Sequence, residues 1–308
     1  MVQDLMVVTE SVLTLFLVMA VGYTLVKLGV LTESTLPQLS KLLLYVVTSS
    51  IMIDCFQVER TPELDHLLLV AGGALVATYV LYMLLGQLLF RRRGEEERGV
   101  LRFSSIYGNT GFMGLPLISA VLGSEAMMIT VIGIGVFNVA TWTHGVACIG
   151  GKEHTSVKQA LLNPGIISFV IAVALFLAGV ELPGPVGDAV SDLAALNTPL
   201  AMIVIGAQMA SANLKEVFRD LRLYMVSAVK LLLMPAVTIL VLLPLHLDGM
   251  IFTTLVILSG CPTAGASSLF CQMLGKDSSL AAKQVTFSTL LCIVTLPLVT
   301  LAARVLGT

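Results

Sequence analysis

The chain has 308 residues, 57% of them hydrophobic and 12% charged, with a mean hydropathy of +0.98. Soluble domains carry about a quarter charged residues, so this composition excludes an ordinary soluble protein, gives no reason to expect a nucleic-acid partner, and describes a polytopic membrane protein seated in the lipid bilayer. The formal net charge of -2 says little about partners, because across a membrane the placement of charge matters more than its sum.

Apolar runs of about 20 residues between charged or Gly/Pro-rich breaks predict ten spans, near 6–28, 36–56, 66–90, 100–122, 126–149, 162–180, 187–210, 222–244, 250–274 and 283–305. The first is preceded by Asp4 and no Lys or Arg, so it lacks the basic region of a signal peptide and is expected to stay as a span. The second holds the hydroxyls of Thr48, Ser49 and Ser50, with Asp54 near its outer end. After the third, RRRGEEERG reads as a solvated loop with internal charge pairing.

The fourth span contains GNTGFMGLPLISAVLG, Gly108 to Gly123. Gly108, Gly111 and Gly114 weaken a helix, Pro116 removes a backbone donor, and Asn109 and Thr110 carry hydrogen-bonding groups into hydrocarbon. Such a stretch is costly unless its loosened backbone lines a cavity; the alternative is that the small residues let helices pack closely. The fifth span holds Asn138 and His144, the seventh Gln208, the eighth Lys230 and the tenth Gln284 and Ser288. Structural hydrogen bonds are expected of these amides and of Ser288. Lys230 is about 11 Å into its span by helix rise, within snorkelling distance of the cytoplasmic interface. Cys55, Cys148, Cys261, Cys271 and Cys292 fall in or at the ends of apolar runs; an odd count without short spacing argues against a disulfide framework or a metal site.

The ninth span contains a second interrupted stretch, GCPTAGASSLFCQMLG, whose bracketing glycines Gly260 and Gly275 follow Gly108 and Gly123 by 152 residues each. KLGVL at 27–31 and LAGVEL at 177–182 likewise follow the first span of each half. Five spans per half is an odd number, so residues 1–150 and 151–308 form two repeats that enter the membrane from opposite sides, and broken segments at matching positions of such repeats point to a transporter's binding site. Orientation follows from the basic residues: Lys27 and Lys41, the arginines from 91 to 102, Lys152 and Lys158, Lys215 to Arg222, and Lys276 and Lys283 share one side, 14 of the 17 in the chain. That asymmetry predicts a multi-pass protein of the plasma or inner membrane with both termini extracytoplasmic.

These residues resemble the auxin efflux carrier family, in its bacterial malonate or malate permease-like branch. The likeness is carried by GNTGFMGLPL, by Asn163-Pro164, by TPLAMIVIGAQMA and KLLLMPAV, and by the last two spans from CPTAGASSLFCQMLG to CIVTLPLV. The resemblance implies an all-α integral membrane fold with ten transmembrane helices as two inverted five-helix repeats. It implies a scaffold from spans 1, 2, 6 and 7, a transport domain from spans 3–5 and 8–10 in which the broken fourth and ninth helices cross, and a homodimer through the scaffold. One departure is VVTSSIMID, which has no proline where relatives often carry one.

Both breaks fall near mid-membrane, with new half-helices expected near Pro116 and near Ser267. Helix starts present unpaired N–H groups and the positive end of the dipole, so two of them facing one cavity favour an anion. The expected function is secondary transport of a small organic anion, a mono- or dicarboxylate, by alternating access of elevator type. The residues expected to bind it are Asn109, Thr110, Gly111, Pro116, Pro262, Thr263 and Ser267, with Ser49, Ser50 and Gln208. No cofactor or metal is called for. No acid lies near either break, so no seat is evident for a carboxylate-bound Na⁺. The alternatives are an intramembrane enzyme, for which the chain has no paired acids and no HExxH helix, and a membrane sensor, which would need a partner for output.

Overall fold

The computed structural model describes residues 2–32, 34–151, 158, 161–210 and 212–307; Lys152, counted above among the charges of one side, lies outside them. In chain order the helices are α1 (Val2–Lys27), α2 (Leu36–Asp54), α3 (Pro62–Leu88), α4 (Glu95–Ile106), α5 (Thr110–Leu122), α6 (Ser124–Gly150), α7 (Pro164–Ala178), α8 (Gly184–Ala210), α9 (Leu214–Arg219), α10 (Leu221–Leu245), α11 (Gly249–Ser259), α12 (Ala266–Met273) and α13 (Ser279–Leu306). Seven of them, α1, α2, α3, α6, α8, α10 and α13, are long and apolar enough to cross a membrane, and α5, α7 and α11 are shorter apolar helices. Among the described residues there is no strand, only one isolated β-bridge.

Local chemistry sets the ends. Thr61 accepts the Leu64 N–H at 3.2 Å ahead of Pro62, with Glu63 and Asp65 in the first turn of α3; Asn163 accepts the Gly165 N–H at 2.8 Å ahead of Pro164. Both follow the rule of a polar cap before an N-terminal proline. Gly29 after α1 and Gly179 after α7 have φ of +74° and +63°, and Gly123 and Gly275 after α5 and α12 have +83° and +66°. The glycines that recur between the halves of the sequence are therefore helix stops in a backbone region that side chains disfavour. The second span, lacking the proline of relatives, runs unbroken and absorbs one wide turn at Leu43–Val47 just before Thr48.

Close packing depends on glycine at two places. A β-carbon at Gly206 would lie 1.8 Å from the Met19 carbonyl oxygen and one at Gly22 2.1 Å from that of Ile203, so α1 and α8 touch backbone to backbone. Gly99 of α4 faces the Cys148 carbonyl of α6 in the same way, at 2.2 Å. Such contacts are how membrane helices associate when apolar burial gives no drive.

The carbonyl ends of helices are met by cations from elsewhere in the chain. Lys27 donates to Ala210 O at 3.1 Å, Arg60 to Leu177 O at 3.0 Å, Arg102 to Gln87 O at 2.8 Å, Lys276 to Ile149 O at 2.8 Å and Arg304 to Val121 O at 2.7 Å. Each satisfies an orphan carbonyl and offsets the negative end of a dipole. Beyond the membrane helices, Glu97 lies between Arg93 at 3.8 Å and Arg222 at 3.7 Å, so the RRRGEEERG stretch pairs both internally and with the start of α10. The Arg222 guanidinium holds the Asp220 carboxyl below its usual range, and Lys283, 2.8 Å from Glu216, does the same there.

Candidate functional site

The two interrupted stretches lie against each other. Gly108 and Thr263 form an antiparallel bridge: Asn109 N donates to Pro262 O at 2.6 Å and Ala264 N donates to Tyr107 O at 3.0 Å. Backbone groups that a broken helix leaves unpaired are thus partly exchanged between the breaks, as low dielectric demands.

The first break is short. α4 ends at Ile106, and the helix resumes at Thr110. It restarts six residues before Pro116, contrary to the expectation that Pro116 opens it. The reason is a wide turn over Thr110–Gly114 in which Gly114 N and Met113 N both reach Asn109 O, at 3.0 and 3.2 Å; Pro116 sits buried inside the helix that follows. Asn109 is the cap: its Oδ1 accepts the Phe112 N–H at 3.2 Å, leaving its Nδ2 donors for another partner. Asn109, Gly111 and Phe112 are half-buried. Thr110 is 3% exposed and its hydroxyl has no hydrogen-bond partner.

The three glycines of this stretch differ in what they do. At Gly108 a β-carbon would meet Lys230 Nζ at 3.0 Å and the Cys261 carbonyl at 3.3 Å; at Gly114 it would meet Leu258 at 2.8 Å; at Gly111 the nearest atom is 4.0 Å away. Close approach explains the first two, and the third is free of that demand.

The second break is longer and tied down. α11 ends at Ser259 and α12 begins at Ala266, after Gly265, with no side-chain cap. Ser267 was expected to open this half-helix; it is instead the second residue, wholly buried, with its hydroxyl turned back to the Ala264 carbonyl at 3.0 Å. Thr263 is held twice: its Oγ1 donates to Ser104 O at 2.9 Å and its N–H to Ser288 Oγ at 3.1 Å. Residues 260–264 are all buried.

Of the remaining candidates, Ser49 lies in α2 with its hydroxyl 2.6 Å from that of Ser168 in α7, Ser50 is buried in the same turn, and Gln208 is exposed on α8. α8 packs against both α2 and the Thr110–Gly114 turn. Gln284 and Ser288 make the structural hydrogen bonds expected of them, Gln284 to Ser227 at 2.9 Å. His144 stands beside the first break, its Nδ1 2.9 Å from the hydroxyl of Tyr107.

Lys230 departs from expectation. It is 1% exposed, does not reach the interface, and donates from Nζ to Ser259 O, the last carbonyl of α11, at 2.6 Å. It lines a cavity of about 20 Å³ together with Thr78, Tyr79, Tyr82, Gly108, Thr110 and Ser259. Sequence distance from the span's end suggested snorkelling; only the three-dimensional neighbour, a carbonyl 29 residues on, shows where the amine goes.

The family described as "Membrane transport protein" matches residues 7–159 and 152–300. The chain belongs to this family, that of the auxin efflux carriers. A protein of Methanothermobacter thermautotrophicus named "Uncharacterized transporter" is 25% identical over 304 residues, covering 94% of this chain and 96% of that one. A Rhizobium meliloti protein named "Putative malonate transporter" is 27% identical over 307 residues, covering 94% and 93%. A transporter of Methanocaldococcus jannaschii, also named as uncharacterized, is 24% identical over 298 residues, covering 92% and 95%. This family member is a multi-pass membrane protein of the transporter class.

Proposed function

We propose that this protein is a secondary transporter of a small organic anion, a mono- or dicarboxylate of the malonate, malate or auxin kind, and that the meeting of the two breaks is where the anion binds. The observation that carries this is the start of α5: a half-helix opening beside a buried lysine, capped by an asparagine whose amide donors are uncommitted, next to a buried threonine hydroxyl without a partner. A helix start with free donors and a nearby cation is suited to a carboxylate. The name of the Rhizobium meliloti relative supports malonate as the first anion to try.

In this reading the ten apolar segments are ten spans in two inverted repeats, 1–150 and 151–308, with both termini extracytoplasmic. The first, second, sixth and seventh segments form the scaffold and a homodimer contact, and the crossing breaks move past it in an elevator-type cycle. Backbone contact between α1 and α8, first and seventh of those segments, is what a rigid scaffold needs.

The test is uptake of labelled malonate, malate and indole acetate into proteoliposomes. Uptake of at least one, abolished or weakened at least tenfold by Asn109→Asp, supports the proposal. No uptake of any carboxylate by folded protein, or uptake indifferent to Asn109, overturns it. Cysteines introduced at Gly94 and Pro62 test the topology: labelling from the same side would overturn the inverted repeat.

A further inference from the structure

We propose that Lys230 is a tethered cation, its ammonium held on the last carbonyl of α11 at the meeting of the breaks, in the place that a free monovalent cation would otherwise take. The seat is built on a helix end. Ser259 O closes α11 at the negative end of its dipole, and Lys230 Nζ lies 2.6 Å from it. The same small cavity is bordered by Thr78, Tyr79, Tyr82 and Thr110, whose hydroxyl has no hydrogen-bond partner, and on its apolar side by Leu75, Ile106, Leu255 and Leu258. The hydroxyl of Tyr82 is in turn fixed by Thr238 and by Met234 O at 3.4 Å. Broken helices that end on bare carbonyls in mid-membrane are the usual seats of Na⁺, and the space of about 20 Å³ left beside the ammonium has room for no more than about one water.

Here the chain supplies the positive charge itself. Among the described residues the cavity lining holds no carboxylate, so nothing would neutralise a second cation set beside the ammonium, and like charges at such range in poorly screened surroundings repel strongly. The five other cations that cap helix ends belong to residues at least partly exposed, whereas Lys230 alone of this set is wholly buried and borders a cavity. Its counterpart 152 residues earlier is Thr78, which lines the same cavity without charge, so one cation serves both breaks. Na⁺ independence is then a property of one side chain rather than of the fold.

The experiment is a thermal melt of purified protein in NaCl, methylammonium chloride or choline chloride at equal ionic strength. Wild type, Lys230→Ala and Lys230→Met are compared. Expected is a wild type that melts alike in all three salts and a Lys230→Ala variant that melts several degrees lower in choline. Methylammonium or Na⁺, but not choline, should recover at least half of that loss, because truncation opens the seat to a small cation. Labelled-malonate uptake by the same variant, where wild type transports it, is expected to become dependent on the small cation. The melt needs no substrate, so it can fail or succeed independently of the anion proposal. Three outcomes overturn the idea: a wild type stabilised by Na⁺ over choline, a Lys230→Met variant as stable as wild type, or a folded Lys230→Ala variant that no small cation stabilises. Should neither neutral variant fold, the wild-type comparison and binding of ²²Na⁺ decide alone. Salt-independent melting without Na⁺ binding supports the tethered cation, and Na⁺ binding overturns it.

Discussion

The two breaks stand 152 residues apart in the chain and are joined by a pair of backbone hydrogen bonds, yet they are built on opposite plans. The first spans three residues between helices, is capped by a side chain, and leaves Asn109, Gly111 and Phe112 half-buried. The second spans six, has no side-chain cap, and is buried from Gly260 to Ala264 with Thr263 bonded on both sides. Position 109 is asparagine where the matching position 261 is cysteine, and position 110 is threonine where 262 is proline. The joint is thus divided into a half with spare donors and a half that holds it in place.

The largest effect should come from loosening the holding half. Thr263→Val with Ser288→Ala removes the bond to Ser104 O and orphans a buried N–H, which together should cost roughly 2–4 kcal/mol of stability. Affinity per folded molecule for the transported anion should be unchanged. Melting and calorimetry check this, and an affinity loss at full stability would transfer the ligand to the second break. Next comes the donor half. Asn109→Asp keeps an oxygen for the Phe112 N–H but replaces the amide donors with a like charge, so anion affinity should fall about ten- to a hundredfold with little change in melting. Asn109→Ala loses the cap as well, adding about 1 kcal/mol of destabilisation; equal binding by both variants would break the comparison.

The glycines give a finer contrast. Gly114→Ala drives a methyl to 2.8 Å from Leu258 and should cost about 1–3 kcal/mol. Gly111→Ala would meet only Ile134, at an ordinary contact distance of 4.0 Å, and should gain up to about 1 kcal/mol of helix stability. Reversal of that order in thermal melts would mean that the Thr110–Gly114 turn is not the resting arrangement. Smallest is Thr110→Val, which deletes an unsatisfied buried hydroxyl and should leave stability equal or raise it by up to about 1 kcal/mol. A fall in anion affinity without a fall in melting temperature would mark that hydroxyl as a ligand.

Much of the architecture was legible because apolar length and Gly/Pro punctuation act locally. The interruptions at 108 and 260 were placed from glycine, proline and polar residues in hydrocarbon, and the recurrent glycines proved to be left-handed helix stops at 29, 179, 123 and 275. What stayed hidden was set by contacts distant in sequence or by unusual turns. Pro116 is a sound first-turn residue by the usual rule, but the wide turn after Asn109 starts the helix earlier and accommodates the proline further in. Ser267 has the chemistry of a cap, yet its hydroxyl donates to the Ala264 carbonyl instead. Lys230 could be seen as a charge within a span, but its partner on α11 could not, since the two come together only when the ninth segment folds back on the eighth.

The exchange of amides between Tyr107–Asn109 and Pro262–Ala264 has a further consequence for variation. Each stretch owns an acceptor and a donor that the other completes, so neither can drift in length or backbone shape without leaving its counterpart incomplete. A one-residue insertion at position 108 would misalign both bonds at once, and only a compensating change near 263 could restore them. Side chains on the two stretches can differ, as Asn109 and Cys261 do, while the spacing of the backbone cannot. The pair of breaks is therefore one backbone unit, tolerant of new side chains and far less so of new lengths.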